Sequence, residues 1–358
     1  MSAAATIAIA GTGGIAFASA AWLAQAGHEV RVWSPGGRGA DGLRDAPLQS
    51  TGVLEGSARV VVADTPAQAL AGAKAVLIAV PVNGHRAVMD ALLPALASGQ
   101  TVIVSSMSSL SSLYLFEQAR ARGVDITVAS MGTTVLTARR AGPAQVRVMT
   151  KRTELGVSAL PVARADAALA LCRELFGDVF VTDPNSLASA LTNINPVAHG
   201  PLALFNWTRI ERAENWPQYH YMTPQVAAVI GRLDAERIAL AAAFGLQVRT
   251  IEAHFAKSFG TTSATLADIA AELHAKRGGP PGPTDTATRF LGEDVPYGLV
   301  FSAVLGKVAG VAMPATQTVV QTAGLILGRD LAAENDLIAP LRLEGESMQG
   351  LLARVNAA

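Results

Sequence analysis

Asn195, His199 and Asn206 lie four and then seven residues apart in an otherwise apolar run, with Leu202 between the last two. On a helix this spacing puts all three on one stripe. A polar stripe on an apolar helix needs partners, because a buried polar group without one is costly. Histidine titrates near neutral pH and suits general acid–base work, although the same spacing also describes a satisfied structural histidine. Pro196 inside the pattern predicts a kink and a freed carbonyl one turn back. A second cluster, Arg289-Phe290-Leu291-Gly292-Glu293-Asp294-Val295-Pro296-Tyr297, gathers cationic, acidic and turn residues ahead of a helical run. A carboxylate from such a cluster can orient a histidine and fix its tautomer, and the arginine fork suits a substrate carboxylate. On spacing alone the cluster is equally an N-cap with surface charges.

The elements that must position these residues divide the chain in two. After Asn185 the pattern is helical: Ser186 to Glu214, Thr223 to Gly245 with Pro224 just inside its start, Thr265 to Ala275, and Tyr297 to Gly310. Before it, strands predominate: Glu29 to Trp33, Arg59 to Ala63, Ala75 to Val80, Thr101 to Val104, Asp125 to Ala129, Gln145 to Thr150 and Val179 to Val181. Near-continuous apolar runs such as Ala75 to Val80 are expected of parallel strands covered on both faces. The fold class is therefore α/β, a strand-rich domain over residues 1–184 followed by a mostly α-helical domain over residues 185–358. The glycine turn Gly11-Thr12-Gly13-Gly14, set between an apolar strand and a helical pattern, makes the first an N-terminal Rossmann dinucleotide-binding domain and leaves the second as the substrate and catalytic domain. The cluster Gly278 to Pro283 reads as a loop and as the most mobile part of the second domain.

The first domain opens with Thr6-Ile7-Ala8-Ile9-Ala10-Gly11-Thr12-Gly13-Gly14-Ile15-Ala16. An apolar run feeds a glycine turn, and the turn opens into a helical pattern that closes on Gly27. Gly11 allows a tight turn, Gly13 lets a pyrophosphate approach the backbone, and Ala16 permits close helix–strand packing. The phosphates would rest on unpaired N–H groups at a helix N-terminus beside Gly14. Where NAD-binding versions of this arrangement carry Asp or Glu, the second strand ends at Ser34, with Arg38 four residues on. A hydroxyl and a guanidinium can hold a 2′-phosphate that an acidic group would repel, so NADP(H) is favoured over NAD(H). Val80, Pro81, Asn83 and His85 fall at the carboxyl edge of the sheet, beside the expected ribose and nicotinamide. The same positions also read as helix capping with a surface histidine.

Composition excludes other classes. The 358 residues carry a formal net charge of zero, with no basic cluster interleaved with aromatics, which argues against a nucleic-acid partner. Ala3 to Gly27 and Leu299 to Gly328 are uncharged enough to be mistaken for membrane spans. Glycine turns break the first, and Lys307 and Pro314 interrupt the second, so neither a membrane span nor a signal peptide is expected. The single Cys172 excludes an internal disulfide, reads as buried packing and fits a reducing cytoplasm. No metal site is expected.

Taken together these motifs resemble the opine dehydrogenase family, of the octopine dehydrogenase type. The resemblance rests on Gly11-Thr12-Gly13-Gly14, Asn195-Pro196-Val197-Ala198-His199-Gly200-Pro201, Thr223-Pro224 leading to Leu233-Asp234-Ala235-Glu236-Arg237, and Arg289 with Glu293 to Val300, in the family's order along nearly the whole chain. It implies catalysis in a cleft between the two domains, with His199 as the proton-transfer residue, Asp294 as its carboxylate partner and Arg289 as a binder of substrate carboxylate. It also implies reductive condensation of a 2-oxo acid with an amino acid or amine through an imine, and a homodimer. Ser34 departs from members that carry an acidic residue there. Asp234, Glu236 and Arg237 read as structural ion pairing. The rival readings are a ketopantoate reductase-like or glycerol-3-phosphate dehydrogenase-like reductase of a simple carbonyl substrate, and a non-catalytic NADP-binding sensor. The rival reductases use a lysine on the helix at the domain junction, and Ser186 to Glu214 contains none.

Overall fold

The computed structural model describes residues 4–358, with the backbone alone at Arg277. It divides into two compact units: residues 4–190 together with Ala353–Ala358, and Leu191–Leu352. The chain leaves the first unit six residues later than the change of pattern at Pro184 suggests, and its last residues return there. No helix among the described residues is long and apolar enough to cross a membrane.

The first unit is built on an eight-stranded sheet of β1 (Thr6–Ala10), β2 (Glu29–Trp33), β5 (Val61–Val62), β6 (Ala75–Ile78), β7 (Thr101–Val104), β8 (Thr127–Met131), β11 (Leu155–Leu160) and β12 (Phe180–Thr182). Their order is β12-β11-β8-β7-β6-β1-β2-β5. Every pairing is parallel except that of β11 with β8. Strand order reverses at β1, which lies between β6 and β2, and in open α/β sheets ligands bind outside the carboxyl ends at such a switch point. The helices are α1 (Gly14–Gln25), α2 (Gly42–Asp45), α3 (Pro66–Leu70), α4 (His85–Leu92), α5 (Ser111–Ala121) and α6 (Ala165–Phe176). Ile7, Ile9, Phe17, Leu23, Val30 and Ile103 fill its core, and Cys172 is buried there too.

A second sheet has the order β4-β3-β10-β9, from β3 (Leu48–Gly52), β4 (Gly56–Ala58), β9 (Leu136–Gly142) and β10 (Gln145–Lys151). Of these, only β10 carries a pattern that reads as a strand. Gly14 explains how this sheet reaches α1: a Cβ there would lie 2.7 Å from the Ala138 carbonyl oxygen of β9.

From residue 186 the expected single helix is three: α7 (Ser186–Leu191), α8 (Asn195–Leu204) and α9 (Trp207–Glu211). The break follows from Asn193, whose Oδ1 accepts the Asn195 N–H at 3.0 Å. Pro196 therefore sits in the first turn of α8, where its missing N–H costs nothing, and does not kink a longer helix. The interior proline is Pro201, which leaves the Val197 carbonyl without its helical donor. Asn206 lies beyond α8, buried, and its Nδ2 donates to the Leu202 carbonyl at 3.0 Å, so it closes the helix and leaves the predicted stripe.

The second unit continues through α10 (Pro224–Ala243), α11 (Ile251–Phe259), α12 (Leu266–Arg277), α13 (Arg289–Gly292), a π-helical turn (Val295–Val300), α14 (Phe301–Ala309), α15 (Pro314–Leu327) and α16 (Met348–Val355), whose last residues belong to the first unit. Leu202, Trp207, Trp216, Ile230, Leu233 and Leu299 form part of its core. Asp234 and Arg237 do pair, 2.7 Å apart and buried, whereas Glu236 accepts the N–H groups of Ala315 and Thr316 and caps α15. The Gly278 to Pro283 loop is held by the buried Trp216, whose Nε1 donates to Pro283 and whose carbonyl accepts from Gly282. These bonds oppose the mobility that its composition suggests.

Candidate active site

The glycine turn after β1 is shaped by contacts at the switch point. Gly11 has φ +133°, and a Cβ there would overlap the Ala79 carbonyl just after β6. Its N–H donates to the Trp33 carbonyl at 2.8 Å, which joins the turn to the end of β2. Gly13 is the opposite case: a Cβ would meet nothing within 4 Å, so one face of the backbone is open. The first turn of α1 contains no acidic side chain, and its early N–H groups have no intrahelical partners. An open glycine, unpaired donors and no opposing carboxylate fit a dinucleotide pyrophosphate. Gly14, by contrast, packs against β9.

Ser34 is half-buried directly after β2, and Arg38 is exposed with no partner among the described residues. Val80 is half-buried and Pro81 exposed at the end of β6. His85 differs from expectation. It is fully buried, with Nδ1 2.9 Å from Ser111 Oγ and Nε2 3.1 Å from the Val80 carbonyl oxygen. Both ring nitrogens are occupied, so His85 braces the Val80 turn from within and offers nothing to a ligand. Burial, partly opposed by the Val80 hydrogen bond, lowers its pKa from 6.5 to about 4.

In the second unit, His199 on α8 places Nδ1 2.8 Å from Asp294 Oδ2. Asp294 precedes the π-helical turn, and two close approaches set the distance between that turn and α8. A Cβ on Gly298 would overlap the Pro196 ring, and one on Gly200 would come within 3.1 Å of Leu299 Cδ1. Asn335 fixes the turn from the other side by donating Nδ2 to the Pro296 carbonyl at 2.9 Å. Such π turns often occur at functional sites. The Tyr297 hydroxyl donates toward Asp336, and burial together with that carboxylate raises its pKa.

Phe290 completes the arrangement. Its ring lies flat against His199, with centroids 3.8 Å apart and planes 2° from parallel. Thr288 Oγ1 accepts the Phe290 N–H at 3.2 Å and so starts α13. With Asp294 ionised, Nδ1 donates to it, and in the neutral imidazole the lone pair falls on Nε2, which has no partner among the described residues. Arg289, one residue before Phe290, is exposed and likewise without a partner. The structure thus joins His199, Asp294 and Phe290 and leaves Arg289 free. The only sequence signal for Phe290 is its place four residues before Asp294. Among the described residues no group of three His, Cys, Asp or Glu could hold a metal ion.

A switch-point sheet with an open glycine turn, followed by a helical unit bearing a histidine–carboxylate pair, defines a two-domain nicotinamide-dependent dehydrogenase. Residues 182–327 match the family model for the α-helical domain of NAD/NADP octopine/nopaline dehydrogenases, and the opine dehydrogenase of Arthrobacter sp. (strain 1C) is 29% identical over 98% of both chains. The second unit is thus of the octopine/nopaline dehydrogenase type, and the chain as a whole is similar to opine dehydrogenases along nearly its full length. Residues 7–160 match the ketopantoate reductase PanE/ApbA model, a likeness confined to the first unit. Protein ocs of Agrobacterium tumefaciens (strain Ach5) is 26% identical over 98% of this chain and 99% of its own. Octopine dehydrogenase solved with NADH and L-arginine has the same fold, with TM-score 0.80 at 18% identity over 99% of this chain and 98% of that one. Yersinopine dehydrogenase with NADP+ bound follows at TM-score 0.69 and 19% identity, covering 99% and 98%.

Proposed function

We propose that this protein catalyses the NAD(P)H-dependent reductive condensation of a 2-oxo acid with the amino group of an amino acid or amine, giving a secondary amine. The observation that carries the reading is the His199–Asp294 pair on a helical unit of octopine/nopaline dehydrogenase type. When bound, a reduced nicotinamide supplies the hydride. His199 Nε2 takes a proton from the incoming ammonium and returns one to the carbonyl oxygen as it leaves in water. Asp294 holds the ring through Nδ1 and stabilises the imidazolium that forms. Phe290 keeps the imidazole in one plane, and Arg289 offers its fork to a substrate carboxylate.

Gly11 and Gly13 would receive the pyrophosphate, Ser34 and Arg38 the adenosine ribose, and Val80 and Pro81 the nicotinamide end. Ser34 and Arg38 favour NADP(H), since no carboxylate ends β2. Cytoplasmic residence is supported by the lone buried Cys172, and dimerisation by the family resemblance alone. The deciding assay follows oxidation of NADPH, and separately NADH, with pyruvate or glyoxylate, with and without a panel of amino acids. Oxidation that requires the amine is the expected result. Oxidation with the oxo acid alone overturns the condensation reading in favour of a simple carbonyl reductase.

A further inference from the structure

Arg140 lies on β9, a strand that the sequence pattern does not announce, yet its guanidinium reaches the glycine turn. Nη1 donates to the Thr12 carbonyl at 3.2 Å and to the Gly39 carbonyl at 2.9 Å. Nε donates to Gly142 at 3.0 Å and Nη2 to Pro143 at 3.0 Å. Its carbon lies 4.5 Å from the centroid of the Phe17 ring on α1. All four acceptors are neutral carbonyls, so the positive charge stays uncompensated among the described residues.

Two of those carbonyls belong to the loops that frame the dinucleotide reading. Thr12 is in the turn after β1, and Gly39 is in the loop after β2 that carries Arg38. The loops touch directly, since a Cβ on Gly39 would overlap the Thr12 hydroxyl. In a trans peptide the C=O and the following N–H point in opposite directions. By holding the Thr12 oxygen, Arg140 turns the Gly13 N–H away from β9; by holding the Gly39 oxygen, it does the same for Ala40. The cation also adds to the positive end of α1.

We propose that Arg140 is the positioning residue of the dinucleotide site: it locks the pyrophosphate turn and the Arg38 loop together and presents the Gly13 N–H to the phosphates. The proposal rests on the dinucleotide reading of the first unit. The second sheet then serves as the platform that carries this cation to the mouth of the larger sheet.

The test is the affinity of the full-length protein for NADPH and NADH by isothermal titration calorimetry, in wild type, Arg140→Gln and Arg140→Lys. A hydrogen bond to a charged group, once lost, is worth about 10- to 100-fold in an equilibrium. Arg140→Gln is expected to weaken both dinucleotides by about that factor, the loss falling on the Kd for the dinucleotides more than on the KM values for oxo acid and amine measured at saturating dinucleotide. Arg140→Lys keeps the charge but cannot span four carbonyls, so it should recover only part of the loss, and it carries the test if the glutamine variant fails to fold. Wild-type affinity in the substituted proteins overturns the proposal while leaving the dinucleotide reading intact. A wild-type protein that binds neither dinucleotide overturns both.

Discussion

Asp294 stands 95 residues beyond His199 in the chain, yet its Oδ2 lies 2.8 Å from the imidazole Nδ1. A carboxylate at Nδ1 directs the free lone pair to Nε2 and supports the charged ring, so the two residues act as a unit. His199→Ala should lower kcat by about 10²–10⁴-fold, the usual worth of a general acid–base, while dinucleotide affinity is retained. Asp294→Asn should lose less, because the imidazole remains but its tautomer is no longer fixed. Steady-state kinetics beside calorimetric dinucleotide binding checks both; wild-type turnover in His199→Ala removes the assignment.

His85 predicts a pH dependence of stability that is unrelated to catalysis. Burial holds its folded-state pKa at about 4 against 6.5 in the unfolded chain. Below 6.5 the unfolded state takes up a proton that the folded state refuses, so this contribution is fully present above about pH 6.5 and is lost as pH falls toward 4. The window is worth about 3 kcal/mol. Urea unfolding measured from pH 4 to 7 should show a shallower slope for His85→Gln than for wild type; parallel slopes would mean that the ring protonates without opening the structure.

Arg237 and Asp234 form a buried pair whose remaining valences are also used. Arg237 donates to the Leu191 and Arg249 carbonyls, and Asp234 accepts the Ile251 N–H. Removing one partner strands a buried charge, so Arg237→Met should cost about 3–5 kcal/mol. The double variant with Asp234→Leu should cost less than the sum of the single changes, as read from denaturation followed on Trp207 and Trp216 fluorescence.

Arg38 is the simplest test of cofactor preference. Its exposed guanidinium has no partner among the described residues, and no acidic side chain ends β2. Arg38→Ala should raise the Kd for NADPH by about tenfold, the worth of one charge-assisted bond, with little change for NADH. Equal losses for both cofactors would show that the residue does not read the 2′-phosphate.

Legibility in the sequence follows from how each element is stabilised. Thr101–Val104 and Ala75–Ile78 are apolar on both faces and announce themselves as covered parallel strands. Leu136–Gly142 does not: it reads Leu-Thr-Ala-Arg-Arg-Ala-Gly, and its strand form depends on pairing with β10 and on Gly14 admitting it to α1. The break between α7 and α8 turns on one Asn193 side chain, a signal too local for a periodicity to carry. His85 shows the limit of reasoning from position, because a residue at the carboxyl edge of a sheet can face inward as readily as outward. Spacing alone links neither Asp294 nor Phe290 to His199; the family resemblance pairs Asp294 with it, and only three-dimensional packing reveals the Phe290 stack.

The return of Ala353–Ala358 to the first unit has a consequence for biosynthesis. Arg354 pairs with Glu117 through Nε at 2.8 Å and Nη2 at 2.9 Å, Asn185 Nδ2 donates to Asn356 at 3.1 Å, and the Ala357 carbonyl accepts from Val162 at 2.8 Å. A ribosome makes the chain from its N-terminus, and domains generally fold as they emerge. Here the unit that is synthesised first still lacks these bonds while the whole helical unit is being translated, so the part made earliest is the last to be sealed.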